Sequence, residues 1–331
     1  MLMQRLRGLF GRRPGTVELL EQGELVCSGC GRRLALAGRQ PLTLSPCEHC
    51  DEPNFVPGRL PGYWLCRPLG GGGMGSVYLA RPEAGGAERY AAKVVRPGAA
   101  SPERLAESLQ REIEVMQHIQ PHPCLLTAVD AGEDEHGAPY LITPYQEGER
   151  LDVRFSRLGH LSEQEVILVG LRLLGGLTHL YNAGFLYRDL KTQTIVMGAD
   201  GACLLDFGIC LRLAEARDGS TAHVEGSSLY YPPERLSGQG EGRHSEIYSL
   251  GMVMYHALTG SPYFTAKDIE TMTTLNVRKR RLLERRRPTD DSIRPDLSRV
   301  IEKMIKRQGE ERYQTFLDAE HDLLQTLTHR H

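Results

Sequence analysis

Two pairs of cysteines with the same spacing constrain the fold of this chain more than any other feature. Cys27 and Cys30 form the first C-x-x-C pair, Cys47 and Cys50 form the second, and sixteen residues separate the pairs. Each pair lies in a turn that contains glycine or proline. Two such turns can place four thiolates around one zinc ion, which leaves no coordination position for a substrate. The spacing therefore predicts a structural Zn²⁺ site, with two disulfides or four free thiols as the alternatives.

The segment that carries these cysteines, residues 17–58, resembles a zinc ribbon. The resemblance covers about forty residues and does not name a ligand for the module. Arg32, Arg33 and Arg39 are too few to favour nucleic acid, and the net charge of -2 gives the chain no overall attraction to it. We expect the module to have a structural role or to contact a protein partner.

The other cysteines and the apolar segments indicate where in the cell the chain is expected to be located. Cys66, Cys124, Cys203 and Cys210 are scattered singly, which argues against a disulfide framework and favours a reducing, cytoplasmic compartment. No run reaches the roughly 20 apolar residues of a membrane-spanning helix, so the sequence predicts a soluble protein. Residues 1–16 are predicted to be a disordered basic tail, with a membrane-surface or partner-binding helix as the alternative.

The rest of the chain divides by its hydrophobic pattern. Residues 63–146 contain short β-like runs and one helical pattern that begins at Ser101, which predicts a small sheet packed on one helix. Residues 147–328 are mainly helical, and Ser162 with Glu165 has the spacing of a capping box. The chain is therefore expected to contain an α+β region followed by a helical one.

A glycine-rich run opens the α+β region. Residues 69–78 read LGGGGMGSVY, which contains G-x-G-x-x-G followed by a β-branched residue. Glycines let backbone amides approach phosphates closely. Lys93 follows in an Ala-Ala-Lys run, and Glu112 lies in the helical pattern. This order resembles the small lobe of protein kinases, in which the lysine contacts the phosphates and the helix glutamate holds the lysine.

The resemblance extends over residues 63–327 and implies the bilobal protein kinase fold, with a five-stranded antiparallel sheet and one helix in the small lobe. Thr143 takes the position at the back of the adenine pocket, and Pro144 replaces the usual acidic residue after it. The carbonyl of Pro144 and the amide of Gln146 remain to bind adenine. The residues that the resemblance assigns to ATP are Leu69, Gly70, Gly72, Gly75, Val77, Ala91, Lys93, Pro144, Gln146, Val196 and Asp206.

Residues 186–194, LYRDLKTQT, resemble the kinase catalytic loop. The resemblance implies that Asp189 orients the substrate hydroxyl, that Lys191 stabilises the transferred phosphoryl group, and that the substrate hydroxyl is that of serine or threonine. Together with Lys93 and Glu112 these are the predicted catalytic residues. Tyr187 replaces the usual histidine, and its ring is expected to stack on Phe207.

Magnesium, or manganese, is implied at Asp206 of the Asp-Phe-Gly motif. Thr194 stands where the family has an asparagine that binds the second metal ion, and its hydroxyl is a weaker ligand than an amide oxygen. The sequence therefore predicts an ATP-dependent serine/threonine protein kinase that acts on a protein substrate. A pseudokinase or scaffold that binds nucleotide with little or no phosphoryl transfer is the alternative.

The segment after the Asp-Phe-Gly motif ends in GSSLYYPPE, residues 226–234, and resembles a kinase activation segment. The predicted phosphorylation sites are Ser220, Thr221 and Ser227, and a phosphate there is expected to pair with Arg188. Glu246 replaces the aspartate that anchors the catalytic loop. Arg312 is expected to pair with Glu234.

Overall fold

The structure is a computed structural model, and it describes residues 16–72, 75–95, 101–217, 228–264 and 293–328. Within these ranges no helix is long and apolar enough to cross a membrane. The chain forms two compact units, residues 1–109 with 128–145 and residues 110–127 with 146–331, called the first and second units below. The cysteine-bearing module and the predicted small sheet both belong to the first unit.

The elements are numbered in chain order. The strands are β1 (Glu24–Val26), β2 (Arg33–Ala35), β3 (Leu44–Pro46), β4 (Pro53–Phe55), β5 (Gly58–Leu60), β6 (Tyr63–Gly72), β7 (Gly75–Pro82), β8 (Tyr90–Val94), β9 (Asp130–Glu133), β10 (Pro139–Pro144), β11 (Glu149–Arg150), β12 (Phe185–Leu186), β13 (Ile195–Gly198), β14 (Gly201–Leu204) and β15 (Leu211–Arg212). The helices are α1 (Thr16–Glu21), α2 (Pro102–His118), α3 (Leu151–Leu158), α4 (Glu163–Asn182), α5 (Leu213–Arg217), α6 (Pro233–Leu236), α7 (Arg243–Thr259), α8 (Pro295–Met304) and α9 (Phe316–Thr328).

The module at the start of the first unit consists of two hairpins that repeat one turn geometry. Strands β1 and β2 flank Cys27 and Cys30, and strands β3 and β4 flank Cys47 and Cys50. In each turn the amide four residues after the first cysteine donates to that cysteine's carbonyl, from Gly31 at 3.0 Å and from Asp51 at 2.9 Å. Both donors have a positive φ, which glycine adopts freely and aspartate tolerates. The two knuckles thus share one backbone shape.

The sheet of the first unit has six antiparallel strands in the order β5-β6-β7-β8-β10-β9. The five strands predicted for the small lobe are β6 to β10. Strand β5 extends the sheet by pairing with β6, with Gly58 opposite Leu65 and Leu60 opposite Tyr63. This strand was not predicted, because three residues are too few to establish a strand pattern.

Directly opposed residues of antiparallel strands lie on the same face of a sheet. One face of the six-stranded sheet carries an apolar cluster of Leu60, Leu65, Tyr78, Ala80, Ala92, Val94, Tyr140 and Ile142. Leu42 and Phe55 of the module pack against this cluster, and the Phe55 ring stacks on Tyr78 with centroids 5.8 Å apart. The module is therefore joined to the sheet through side chains as well as through the chain.

Trp64 joins the module to the sheet a second time. It is the single tryptophan of the chain, and its side chain belongs to the core of the module with Leu20, Leu25, Cys27, Leu34 and Cys47. The indole Nε1 donates to Glu21 Oε1 at 2.6 Å. Trp64 belongs to β6, the strand that leads into the glycine-rich run. One side chain of this strand is therefore part of the core of the module.

The second unit is mainly helical and is built around α4. Ser162 caps α4 and exchanges hydrogen bonds with Glu165, which confirms the predicted capping box. Five apolar side chains at helical spacing along α4 are buried: Val166, Val169, Leu173, Leu177 and Leu180. Helices α7 and α9 both pack on α4, and this core carries the short strands and loops of the candidate site.

Candidate active site and metal centre

The four paired cysteines come together in one cluster. Their Sγ atoms all lie within 4.8 Å of one another, with Cys27 and Cys50 at 3.6 Å and Cys30 and Cys47 at 3.8 Å. A zinc ion about 2.3 Å from each of four sulfurs requires sulfur-to-sulfur distances of about 3.8 Å. All eight cysteines are unbridged, so the structure does not have the alternative disulfides. The cluster fits a tetrahedral metal ion.

Asn54 supports the cluster and was missed by the sequence analysis. Its side-chain nitrogen donates to Cys27 Sγ at 3.4 Å, and its side-chain oxygen accepts from the Ser28 amide at 2.8 Å. The amide of His49 donates to Cys47 Sγ at 3.4 Å. Such N–H donors favour the thiolate form that binds metal. An asparagine four residues after a C-x-x-C pair is too common to have indicated this role.

In the first unit, the predicted nucleotide-binding side chains share the sheet face opposite the apolar cluster. Val77 and Leu141 both lie opposite Lys93, and Thr143 lies opposite Ala91. Gly70 pairs with Val77 and Gly72 pairs with Gly75, so the glycine-rich run is a hairpin of β6 and β7 whose tip, residues 73–74, lies outside the described residues. Leu69 belongs to β6, and Pro144 ends β10.

In the second unit, the predicted catalytic acid and lysine are in contact. Lys191 Nζ lies 2.8 Å from each carboxylate oxygen of Asp189. Asp189 is 2% exposed. Burial raises the pKa of Asp189 to about 6, and the charge of Lys191 opposes the rise. The arrangement places a carboxylate with a raised pKa beside a positively charged side chain, and a raised pKa suits a group that accepts a proton near neutral pH.

Thr194 is buried, and its hydroxyl group makes hydrogen bonds within the catalytic loop. The oxygen lies 2.7 Å from the Asp189 carbonyl and 3.0 Å from the Lys191 carbonyl, and the Lys191 amide donates to it at 3.3 Å. A hydroxyl has one proton and two lone pairs, so the oxygen retains one lone pair after these contacts. Thr194 thus braces the backbone around Asp189. Its role as a metal ligand stays a prediction.

The Asp-Phe-Gly segment begins with a residue that has a positive φ. Asp206 has a φ of 64°, which is rare for a residue with a Cβ, and its carboxylate accepts from the Gly208 amide at 3.3 Å. Phe207 is fully buried, and the Tyr187 ring meets it edge-on with centroids 5.7 Å apart. The predicted contact of these two rings is confirmed. Glu112 is buried and accepts from the Phe207 amide at 3.3 Å, whereas its predicted pairing with Lys93 stays a prediction.

Two residues with a predicted role in ATP binding, Val196 and Gln146, lie in the second unit. Val196 is buried on β13, and Gln146 lies just before the short strand β11. Gly198 follows on β13, where a Cβ would lie 2.8 Å from the Glu147 carbonyl oxygen. This close approach keeps residues 146–147 against β13, the strand that carries Val196.

Glu246 anchors the catalytic loop despite its extra methylene. Its Oε1 accepts from the Arg188 amide at 2.8 Å, and its Oε2 has no hydrogen-bond partner in the described part of the chain. Burial raises the pKa of Glu246 to about 7, so a proton on the carboxyl group reduces the cost of that buried oxygen. Arg312 donates from both terminal nitrogens to Glu234, at 2.8 and 3.0 Å, which confirms the predicted pair.

Arg188 pairs with a residue that the sequence analysis missed. Its Nε and Nη2 atoms donate to Glu241 Oε1 at 3.0 and 2.7 Å. Glu241 lies in a glycine-rich turn, where a carboxylate ordinarily faces water. The predicted phosphorylation sites Ser220, Thr221 and Ser227 all lie outside the described residues.

Known proteins with similar sequences identify the family of this chain. The family model described as "Protein kinase domain" matches residues 63–325. The chain is 30% identical to serine/threonine-protein kinase PknB of Mycobacterium tuberculosis over 268 residues, which are 79% of this chain and 42% of that protein. It is 31% identical to the probable serine/threonine-protein kinase PkwA of Thermomonospora curvata over 214 residues, 64% of this chain and 28% of that protein.

A third relative, serine/threonine-protein kinase pkn3 of Myxococcus xanthus, is 28% identical over 254 residues, 74% of this chain and 46% of that protein. The chain thus spans less than half the length of the curated relatives that it matches. The family model covers most of the chain, and strands β6 to β10, the catalytic loop and the Asp-Phe-Gly segment fall within it. The chain belongs to the protein kinase family.

Proposed function

We propose that the chain is an active serine/threonine protein kinase, which transfers the γ-phosphoryl group of ATP to a hydroxyl group of a protein. The observation that carries the proposal is the contact of Lys191 Nζ with both carboxylate oxygens of buried Asp189. A lysine at this position is the feature that points to serine or threonine as the acceptor. The names of the relatives support the same class.

Asp189 accepts the proton of the substrate hydroxyl in this proposal. With a pKa of about 6, the carboxyl group is about nine tenths ionised at pH 7. Lys191 keeps the carboxylate oriented and places positive charge where the transferred group gains negative charge. Thr194 and Glu246 hold the backbone on either side of Asp189.

The proposed ATP-binding roles rest on the family resemblance and on the position of each residue within its own unit. Val77 and Ala91 share a sheet face with Lys93, which would contact the phosphates, and Val196 supplies a further apolar contact. The carbonyl of Pro144 and the amide of Gln146 are the proposed partners of adenine. The assigned roles of Leu69, Gly70, Gly72 and Gly75 rest on the hairpin that they form.

Mg²⁺ or Mn²⁺ would bind to the carboxylate of Asp206, with the remaining lone pair of Thr194 as a weak second donor. Oxygen donors of this kind suit hard divalent cations. Such a cation neutralises the charge of the phosphates when it is bound. A hydroxyl in place of an amide predicts weaker binding of a second ion, and the expected result is a slow enzyme.

One Zn²⁺ would occupy the cluster of Cys27, Cys30, Cys47 and Cys50, with all of its positions filled by protein. Because Trp64 and Phe55 join the module to the sheet, the ion would stabilise the first unit as a whole. The module remains the proposed surface for a protein partner. A cytoplasmic location is also proposed, on the scattered spacing of the other four cysteines.

Thr194 favours a second candidate function. Its hydroxyl group contacts the carbonyl oxygens of Asp189 and Lys191. This structural role needs no metal ion, so the same geometry suits a pseudokinase that binds nucleotide. Such a protein would bind ATP and transfer almost no phosphate.

Radiolabelled ATP with Mg²⁺ or Mn²⁺ tests the proposal, with autophosphorylation and casein as acceptors. The wild type is expected to transfer label, and Asp189→Asn is expected to lose about three orders of magnitude in rate. Asp200→Asn, an exposed change of the same chemistry in the second unit, should keep the wild-type rate. Label transfer by Asp189→Asn at the wild-type rate would contradict the assigned role.

Nucleotide binding is measured separately by thermal shift. Lys93→Met and Asp206→Asn are each expected to reduce the stabilisation that ATP with Mg²⁺ gives to the wild type. An unchanged shift in both variants would contradict the proposed nucleotide site.

A further inference from the structure

A buried carboxylate holds the arginine of the catalytic loop in place. Arg188 and Glu241 have side chains that are 7% and 5% exposed, and two nitrogens of Arg188 donate to one oxygen of Glu241. Arg188 itself has a φ of 67°, a conformation that needs support from its surroundings. The pair therefore fixes a strained residue that directly precedes Asp189.

A second arginine binds the other oxygen of the same carboxylate. The Nε and Nη2 atoms of Arg235 donate to Glu241 Oε2 at 2.8 and 2.6 Å, and Arg235 Nη1 donates to the Arg188 carbonyl at 2.6 Å. The Arg235 side chain is 3% exposed and lies over the Tyr231 ring. One carboxylate thus bridges two buried guanidinium groups.

The backbone of Glu241 extends this bridge to the segment after the Asp-Phe-Gly motif. Its amide donates to the Ala216 carbonyl of α5 at 2.8 Å. A Cβ at Gly240 would lie 2.5 Å from the Arg217 carbonyl oxygen, so this turn approaches α5 closely. Glu241 therefore connects the catalytic loop, α6 and the first part of the activation segment.

The contacts of the Glu241 carboxylate with two arginines resemble those that a phosphate makes when it orders a kinase activation segment. Such a phosphate supplies negative charge to an arginine cluster and ties the loop to it. Buried guanidinium groups need an anionic partner, and here a side chain of the chain's own turn supplies it.

We propose that Glu241 is a positioning residue that acts through Arg188 and takes the place of an activating phosphate. The catalytic loop is then held in its working conformation without phosphorylation of residues 218–227. The proposal rests on the proposed kinase function, because it concerns the regulation of the same site.

The first test compares phosphorylated and phosphate-free protein. The wild type is treated with phosphatase until mass spectrometry detects no phosphate, and Ser220→Ala/Thr221→Ala is prepared alongside it. Initial rates of label transfer to casein are expected to agree within about twofold, because the loop is already held. A tenfold or larger loss in the phosphate-free protein would overturn the proposal.

The second test removes the carboxylate and restores an anion. Glu241→Ala is expected to lower kcat at least tenfold with little change in the KM for ATP, and formate is expected to recover part of kcat by binding both arginines. Glu215→Ala, an exposed change on α5, should keep its rate with or without formate. Loss of kcat that no small anion recovers would indicate a merely structural role.

Hydrogen exchange gives a readout that needs no catalysis. In phosphate-free protein, amides of residues 186–194 and 213–217 are expected to exchange at least tenfold faster in Glu241→Ala than in the wild type, and formate should reduce the difference. Equal exchange in the two proteins would overturn the proposal even if the enzyme is active. If the wild type transfers no label but Glu241→Ala still shows the faster exchange, the result would support the positioning role of Glu241 and reject the kinase function.

Discussion

The cysteine module and the catalytic loop each contain a few functional residues, but contacts of different range along the chain position those residues. The sulfurs that meet in the cluster are 17 and 23 residues apart in the chain. The catalytic loop instead depends on Glu241 and Glu246, which are 53 and 58 residues from Arg188. Local spacing builds the first site, whereas the packing of the whole second unit builds the other. Damage to the two sites should therefore have different signatures.

The largest effect is expected from removal of the metal. Cys27→Ser/Cys47→Ser should lose about one zinc per chain and unfold the module, because structural zinc supplies roughly 10 to 16 kcal/mol of folding free energy in comparable small modules. Metal analysis measures the stoichiometry. Cys66→Ser changes the same chemistry outside the cluster and should keep its metal.

Trp64 reports the same event by fluorescence. It is the single tryptophan and lies in the core of the module, so a chelator should shift its emission to longer wavelength as the core opens. Emission that stays unchanged after the metal is lost would show that the module stays folded without zinc. It would contradict the expected difference between the cysteine module and the catalytic loop.

A buried ion pair of the second unit should give the next largest effect. Glu234→Gln leaves Arg312, whose side chain is fully buried, without its carboxylate, and we expect a loss of about 3 kcal/mol in unfolding free energy. Chemical denaturation measures it. Glu149→Gln breaks an exposed pair with Arg157 and should lower the unfolding free energy far less. Equal losses of unfolding free energy in the two variants would contradict the claim that buried long-range ion pairs stabilise the second unit.

The pH dependence of kcat should show a smaller effect. Burial raises the pKa of Asp189 to about 6, and the general base must be ionised. As pH falls below 6 the fraction of ionised Asp189 falls, so kcat should decrease about tenfold per pH unit below that value and level off above it. A stopped assay between pH 4.5 and 8 measures the profile. An acid limb centred near pH 4 would contradict the burial effect on this carboxyl group.

The sequence was sufficient for features that depend on short spacings. Each C-x-x-C pair, the capping box of α4 and each single kinase motif lies within a few residues, and the structure or the family match supports them. The pair of Glu234 and Arg312 was also predicted, but only because the family resemblance supplied its long-range partner.

The remaining contacts depend on tertiary packing that no local pattern encodes. Glu241 lies between glycines in a polar turn, and only the fold buries it between Arg188 and Arg235. Strand β5 exists because β6 offers it an edge, and Trp64 looks like an ordinary strand residue until α1 and the cysteine hairpins cover it. Burial of a charge or the pairing of a short strand is decided by residues far along the chain.

The rate of label transfer by the wild type and by Thr194→Asn tests the central claim most directly. If Thr194 weakens only the second metal position, the purified wild type should phosphorylate a protein acceptor slowly, and Thr194→Asn should be about tenfold faster with a lower Mg²⁺ requirement. Thr194→Ser keeps the hydroxyl and should stay near the wild-type rate. No transfer by the wild type together with clear transfer by Thr194→Asn would contradict the account and assign the chain to the pseudokinases.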